Sequence, residues 1–162
     1  MVLFNKKEAK ILVVDDDQAL ADNLVEYLSK LGYQAAAAYG GREALTRFEQ
    51  GDFQLVITDL KMPGMDGMEL LEAVKALDNR AMVMVITGYG SIESAVTAVK
   101  KGAYDFIPKP FQMDELEVIV NRALERHTLF RQLGVFRGLT LALIISVPFW
   151  LILGIILAWV WK

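Results

Sequence analysis

Between Lys10 and Leu124 the chain alternates short apolar runs with segments of helical period, the rhythm of a parallel sheet covered by helices on both faces. "KILVV" is the first buried-strand candidate. Behind it Leu20, Leu24, Tyr27, Leu28 and Leu31 recur at helical spacing, and Gly32 supplies a stop. "YQAAAA" predicts a weak second strand near a sheet edge, because alanine has poor strand propensity. Ala44, Leu45 and Phe48 mark a short helix ending at Gly51. "FQLVIT" predicts a strong third strand, and the turn-rich "DLKMPGMDG" leads into a helix with Leu70, Leu71, Val74 and Leu77 on one side. "MVMVIT" is the fourth strand; Ile92, Ala95, Val96 and Val99 face one way in the helix after it. Gly102 caps that helix, "YDFIP" gives a short fifth strand, and Leu116, Ile119, Val120, Ala123 and Leu124 complete a last amphipathic helix. The fold class expected is α/β, a doubly wound five-stranded parallel sheet.

Beyond that helix the pattern changes. From Leu139 to Trp161 there is no charged side chain. About twenty helical residues at ~1.5 Å rise cross a bilayer core, so this run predicts a C-terminal transmembrane helix, kinked at Pro148 as bilayers tolerate. A core helix of a soluble domain, the rival reading, is unusual when bare of charge for that length. Arg126, Arg131 and Arg137 precede the run, and by the positive-inside rule they place the globular part on the cytoplasmic side of the inner membrane, with Trp159 and Trp161 in the far interface. The boundaries expected are a globular domain over 1–128, a basic juxtamembrane segment over 129–138 continuing the last helix, and a single-pass span over 139–161.

Composition narrows the function classes. The 162 residues leave room for one ordinary domain and an appended element. A net charge of -3 argues against a broad phosphate-binding surface, so nucleic acid is not expected as a direct partner. The absence of cysteine removes disulfides and thiolate metal sites. "MVLFNKKEAK" lacks the apolar stretch of a secretory signal, which predicts a cytoplasmic start.

In open α/β sheets ligands bind beyond the carboxyl ends of the strands. Asp15, Asp16 and Asp17 follow the first strand, Asp59 the third, Thr87 the fourth and Lys109 the fifth. With strands in the flavodoxin-like order 2-1-3-4-5 these side chains converge. Several carboxylates held together need a cation, and a hard divalent ion with oxygen ligands, Mg²⁺, meets that need while keeping positions open for a phosphoryl oxygen. Taken singly each residue has a plainer explanation: aspartates are common turn formers, a threonine suits a strand and a lysine is usually a solvated charge. Their joint placement at strand ends is what argues for chemistry.

The motifs "VVDDD", "DLKMPGMDG", "VMVITGYGS" and "GAYDFIPKPF" together resemble the receiver domain of two-component response regulators, in particular nitrogen-regulatory-type receivers, over about residues 8 to 127. The resemblance implies that Asp59 is the phosphoacceptor, supplied by the phosphohistidine of a sensor histidine kinase or phosphotransfer protein. It implies Mg²⁺ held by Asp15, Asp16, Asp59 and the backbone carbonyl of Lys61. Thr87 and Lys109 would contact the phosphoryl oxygens, Phe106 would be the aromatic switch, and the Lys109 to Pro110 bond would be cis. Output would pass through protein contacts to an unnamed partner, with the fourth helix, fifth strand and fifth helix as contact face and a homodimer left open. No substrate-turning enzyme is expected. Lys61 and Tyr89, two residues beyond Asp59 and Thr87, are bulky enough to hinder a hydrolytic water. His127 is read as a surface or cap residue rather than a phosphodonor. The rival functions are a phosphate sink or relay intermediate, and an enzyme of the haloacid dehalogenase type with Asp15 as nucleophile and Asp17 as acid/base; the second leaves "DLKMPGMDG" and "DFIPKP" unexplained.

Overall fold

A computed structural model describes residues 5–88 and 91–129. Its elements are β1 (Lys10–Val14), α1 (Gln18–Lys30), β2 (Gln34–Ala38), α2 (Gly41–Gln50), β3 (Leu55–Asp59), α3 (Gly67–Leu77), β4 (Met82–Thr87), α4 (Ile92–Lys100), β5 (Asp105–Pro108) and α5 (113–129), with a short 3₁₀ turn at Lys6–Glu8 before β1. The strands form one parallel sheet in the order β2-β1-β3-β4-β5, the order on which the convergence of the acidic residues depends.

The two faces of the sheet separate by the period of two along each strand. Ile11, Val13, Leu55, Ile57, Met84 and Ile107 point to one side, where α1 brings Leu24 and Leu28 and α5 brings Leu116, Val120 and Leu124. Leu12, Val14, Val56, Val83 and Val85 point to the other, against Phe48 of α2 and Leu70, Leu71 and Val74 of α3. Both faces of β1, β3 and β4 are thus buried, which is why these strands read as unbroken apolar runs. β2 lies at the edge beside β1, as its alanines predict, with Gln34 exposed and Ala38 buried.

Two of the apolar groupings meet solvent at least in part. Ile92, Val96 and Val99 do share one face of α4, but it is the solvent face: they are 86 %, 47 % and 58 % exposed, and the helix buries Ala98 instead. A small side chain lets α4 lie close on the sheet, and the branched residues turn outward. Leu77, expected with Leu70, Leu71 and Val74, is also exposed, because it sits at the last residue of α3 where the helix leaves the sheet.

Contacts divide the chain into two units, Met1–His127 and Thr128–Lys162. Among the described residues no helix is long and apolar enough to cross a membrane; the expected span over 139–161 lies outside the described residues.

Candidate active site at the carboxyl end of the sheet

Asp15, Asp59 and Thr87 stand at the carboxyl ends of three adjacent strands, and all three are buried. Lys109, just after β5, is bound to the end of β4 by its amide, which donates to the Thr87 carbonyl at 2.9 Å. From there its ammonium reaches back over the sheet and donates to Asp15 Oδ2 and Asp59 Oδ1, each at 2.9 Å. The Lys109 to Pro110 bond is cis.

The other oxygens are held as well. Asp59 Oδ2 accepts the Lys61 amide at 2.7 Å, and Asp15 Oδ1 accepts the Asp17 amide at 2.9 Å. Each carboxylate therefore has one oxygen on a backbone N–H and one on the lysine, which fixes its orientation. Burial works against the charge on Lys109, but its hydrogen bonds and attraction to Asp15 and Asp59 prevail and hold its pKa above the ordinary lysine value.

"DLKMPGMDG" builds the floor under Asp59. Pro63 and Gly64 turn the chain, with Gly64 at φ 81°. Asp66 then caps α3, accepting the amides of Met68 and Glu69 at 2.8 Å each, and Glu69 returns the bond by accepting the Asp66 amide at 3.0 Å. Gly67, the first residue of α3, donates its amide to the Leu60 carbonyl at 2.9 Å, and a Cβ there would overlap the Asp59 carbonyl oxygen. Only glycine lets the helix start this close to the strand end. That role of Gly67 was not drawn from the sequence, although a glycine directly after a capping aspartate is the signal that could have suggested it.

Asp16 and Asp17 stand apart from the buried triad. Asp16 is exposed, and Asp17 caps α1 by accepting the Leu20 amide at 3.2 Å. Among the described residues no three acidic, histidine or cysteine side chains stand as a group that could hold a metal ion. The two convergent carboxylates still fit Mg²⁺, which is commonly held by one or two carboxylates, several waters and a phosphate oxygen. Phe106 is half-buried against the α2–α3–α4 side of the core, opposite the α1 and α5 side. Lys61 is exposed; Tyr89 lies outside the described residues.

Comparison with known proteins agrees with this geometry. Residues 11–121 match the response regulator receiver domain family. The chain is 41 % identical over 114 residues to the transcriptional regulatory protein ZraR of Escherichia coli (strain K12), covering 70 % of this chain and 26 % of that protein. It is 39 % identical over 132 residues to the nitrogen assimilation regulatory protein NtrX of Azorhizobium caulinodans, covering 80 % and 29 %. The chain thus spans little more than a quarter of these relatives. A crystal structure of a response regulator receiver domain protein from Clostridium thermocellum superposes with a TM-score of 0.72 at 33 % identity, covering 75 % of this chain and 98 % of that one. The sheet order, the lysine laid across two strand-end aspartates and the family match converge: this chain belongs to the response regulator receiver domain family.

Proposed function

We propose that the receiver unit takes a phosphoryl group onto Asp59 from the phosphohistidine of a sensor histidine kinase or phosphotransfer protein, and signals onward through protein contacts. The observation that carries this reading is the buried Asp59 carboxylate, oriented by the Lys61 amide on one oxygen and the Lys109 ammonium on the other. In the transfer an Asp59 oxygen attacks phosphorus, the new P–O bond forms as the donor's P–N bond breaks, and the donor imidazole leaves with the electron pair. Little else must be supplied except neutralisation of the charge on the moving group.

Asp15, Asp16, Asp59 and the carbonyl of Lys61 are the groups that would hold Mg²⁺, and the bound ion supplies positive charge beside the phosphoryl oxygens. Lys109 supplies a second positive charge from the β5 side, and its contact with Asp15 keeps it in place as the Asp59 oxygen is modified. Thr87, buried at the end of β4, donates its hydroxyl to a phosphoryl oxygen, and Phe106 follows it inward as the switch. The unit is a phosphoacceptor driven by an external donor, not an enzyme that turns over a substrate. Asp17, already used as a helix cap, gives no support to the haloacid-dehalogenase-type rival.

The same reading tethers the unit to the inner membrane through 139–161, with the receiver on the cytoplasmic side; its support is the charge-free run and the arginines before it. The relatives are named as transcriptional regulators, but the chain covers about a quarter of them, and the direct partner proposed here is a protein rather than nucleic acid.

Intact mass after treatment with Mg²⁺ and a small acyl phosphate tests the chemistry. The wild-type chain is expected to gain one phosphoryl group and Asp59→Asn none. Labelling that survives in Asp59→Asn but disappears in Asp15→Asn would overturn the assignment of the acceptor. With the group in place, Lys61→Ala combined with Tyr89→Ala is expected to hasten phosphate loss, and an unchanged rate removes their role as a screen against water.

A further inference from the structure

Three of the methionines, Met62, Met65 and Met68, follow Asp59 closely, and none has a part in the phosphoryl chemistry above. The chain has no cysteine, so thioethers are its only sulfur, and an oxidant modifies a thioether only where it can reach it. Their surroundings differ. Met62 is buried, as are Met82 and Met84 in β4, and Met68 lies in the first turn of α3 with its amide held by Asp66 at 2.8 Å. Met65 is half-buried and stands in the loop itself, between the turn at Pro63 and Gly64 and the cap at Asp66.

The fold makes a place for Met65. Gly41 is the first residue of α2, and a Cβ there would stand 2.7 Å from Met65 Cγ and 2.9 Å from Met65 Cβ, so the missing side chain is what lets the loop lie flush on the helix. Met65 joins Leu45, Phe53 and Phe106 among the partly buried apolar side chains packed against this side of the core, and those side chains offer no hydrogen-bond donor. A sulfoxide carries an acceptor oxygen, which is costly to bury without a donor, so oxidation turns the side chain out of this packing. The loop is short. The Gly67 amide donates to the Leu60 carbonyl at 2.9 Å and closes it, and inside it the Lys61 amide donates to Asp59 Oδ2 at 2.7 Å. No helix or strand separates Met65 from the bond that orients the acceptor.

We propose that Met65 is oxidised reversibly to its sulfoxide by a peroxide, and that this modification slows phosphoryl uptake at Asp59. The inference rests on Asp59 as the acceptor. A sulfur lone pair attacks one oxygen of hydrogen peroxide, and the S–O bond forms as the O–O bond breaks. Sulfur gives up two electrons, and the proton of the transferred hydroxyl passes to the departing oxygen, which leaves as water. With Met65 turned out, the Lys61 amide no longer holds Oδ2, and the acceptor has to be oriented anew at each encounter with the donor. Reduction of the sulfoxide by a methionine sulfoxide reductase restores the packing.

Hydrogen peroxide is the probe. The full chain is oxidised for increasing times and the peroxide is removed with catalase. One portion is digested and mapped for sulfoxide at each methionine; the other receives Mg²⁺ and a small acyl phosphate, and its rate of phosphoryl gain is read by intact mass. Met65 and Met113, which is 38 % exposed, are expected to oxidise while Met82 and Met84 stay reduced. The labelling rate is expected to fall several-fold in step with Met65 sulfoxide and to recover after methionine sulfoxide reductase treatment. Met65→Leu should label at one rate before and after peroxide, whereas Met68→Leu and Met113→Leu stay sensitive; if Met65→Leu does not fold, the wild-type time course and its reversal decide. A Met65 that stays reduced while Met113 is fully oxidised overturns the inference, as does an unchanged rate with Met65 oxidised or an equal fall in Met65→Leu. A loss that the reductase does not reverse makes the oxidation damage and overturns it too. An untreated wild-type chain that takes up no phosphoryl group overturns the reading of Asp59, and this inference with it.

Discussion

At the carboxyl end of the sheet the buried Asp15 and Asp59 share the half-buried Lys109, whereas at the amino end Arg80 and Lys101 form solvent-exposed pairs and Lys100 makes no ion pair among the described residues. The pocket side chains are 7 %, 9 % and 25 % exposed, so little water competes for their charges and each partner matters individually. At the other end each pair is screened by solvent and salt, and none contributes much by itself. Similar residues are therefore held as individual partners at one end and as screened surface charges at the other.

Lys109→Met breaks the comparison most strongly. It leaves two carboxylates facing each other without their cation, and the cost in Mg²⁺-free buffer is expected at about 3 kcal/mol, read from urea midpoints; a loss confined to a few tenths would mean that the triad is as well solvated as the surface pairs. Gly67→Ala comes next. Its methyl group runs into the Asp59 backbone, with an expected cost of about 2 kcal/mol and slower phosphoryl uptake, measured by denaturation and by the rate of labelling with an acyl phosphate.

The pH dependence of stability sharpens the contrast. The Lys109 pKa is raised in the folded chain, so its stabilisation is complete below the unfolded lysine value and is lost as pH rises through the folded one. Tyr33, raised chiefly by burial, adds an alkaline loss of the same sign. Melting temperatures scanned from about pH 8 to about pH 11.5 should fall, and Lys109→Met should flatten part of that fall; identical slopes in both chains would remove Lys109 from the account. The smallest effect is expected at the amino end. Lys101→Ala, which removes an exposed pair with Glu72, should change stability by no more than about 0.5 kcal/mol in the same urea assay.

Much of this was legible beforehand where one signal had one cause. β1, β3 and β4 are buried on both faces and so read as continuous apolar runs, and an aspartate or threonine directly after such a run is at the carboxyl end of the sheet. The helices were less legible. α4 and α5 show the same apolar period, yet α5 buries Leu116, Val120, Ala123 and Leu124 while α4 turns Ile92, Val96 and Val99 to solvent. Periodicity identifies a face but not what covers it. The membrane span expected over 139–161 is a reading of the sequence alone, since it lies outside the described residues.

The sequence by itself determined the succession of strands and helices along the chain and the strand ends on which Asp15, Asp59, Thr87 and Lys109 sit, because each depends on neighbours in the chain. Tertiary structure decided which of the acidic residues share a cation, why residue 67 must lack a side chain, and which face of α4 stays in water. These depend on distances between segments far apart in sequence: Lys109 meets Asp15 across 94 residues, and no local pattern encodes that approach.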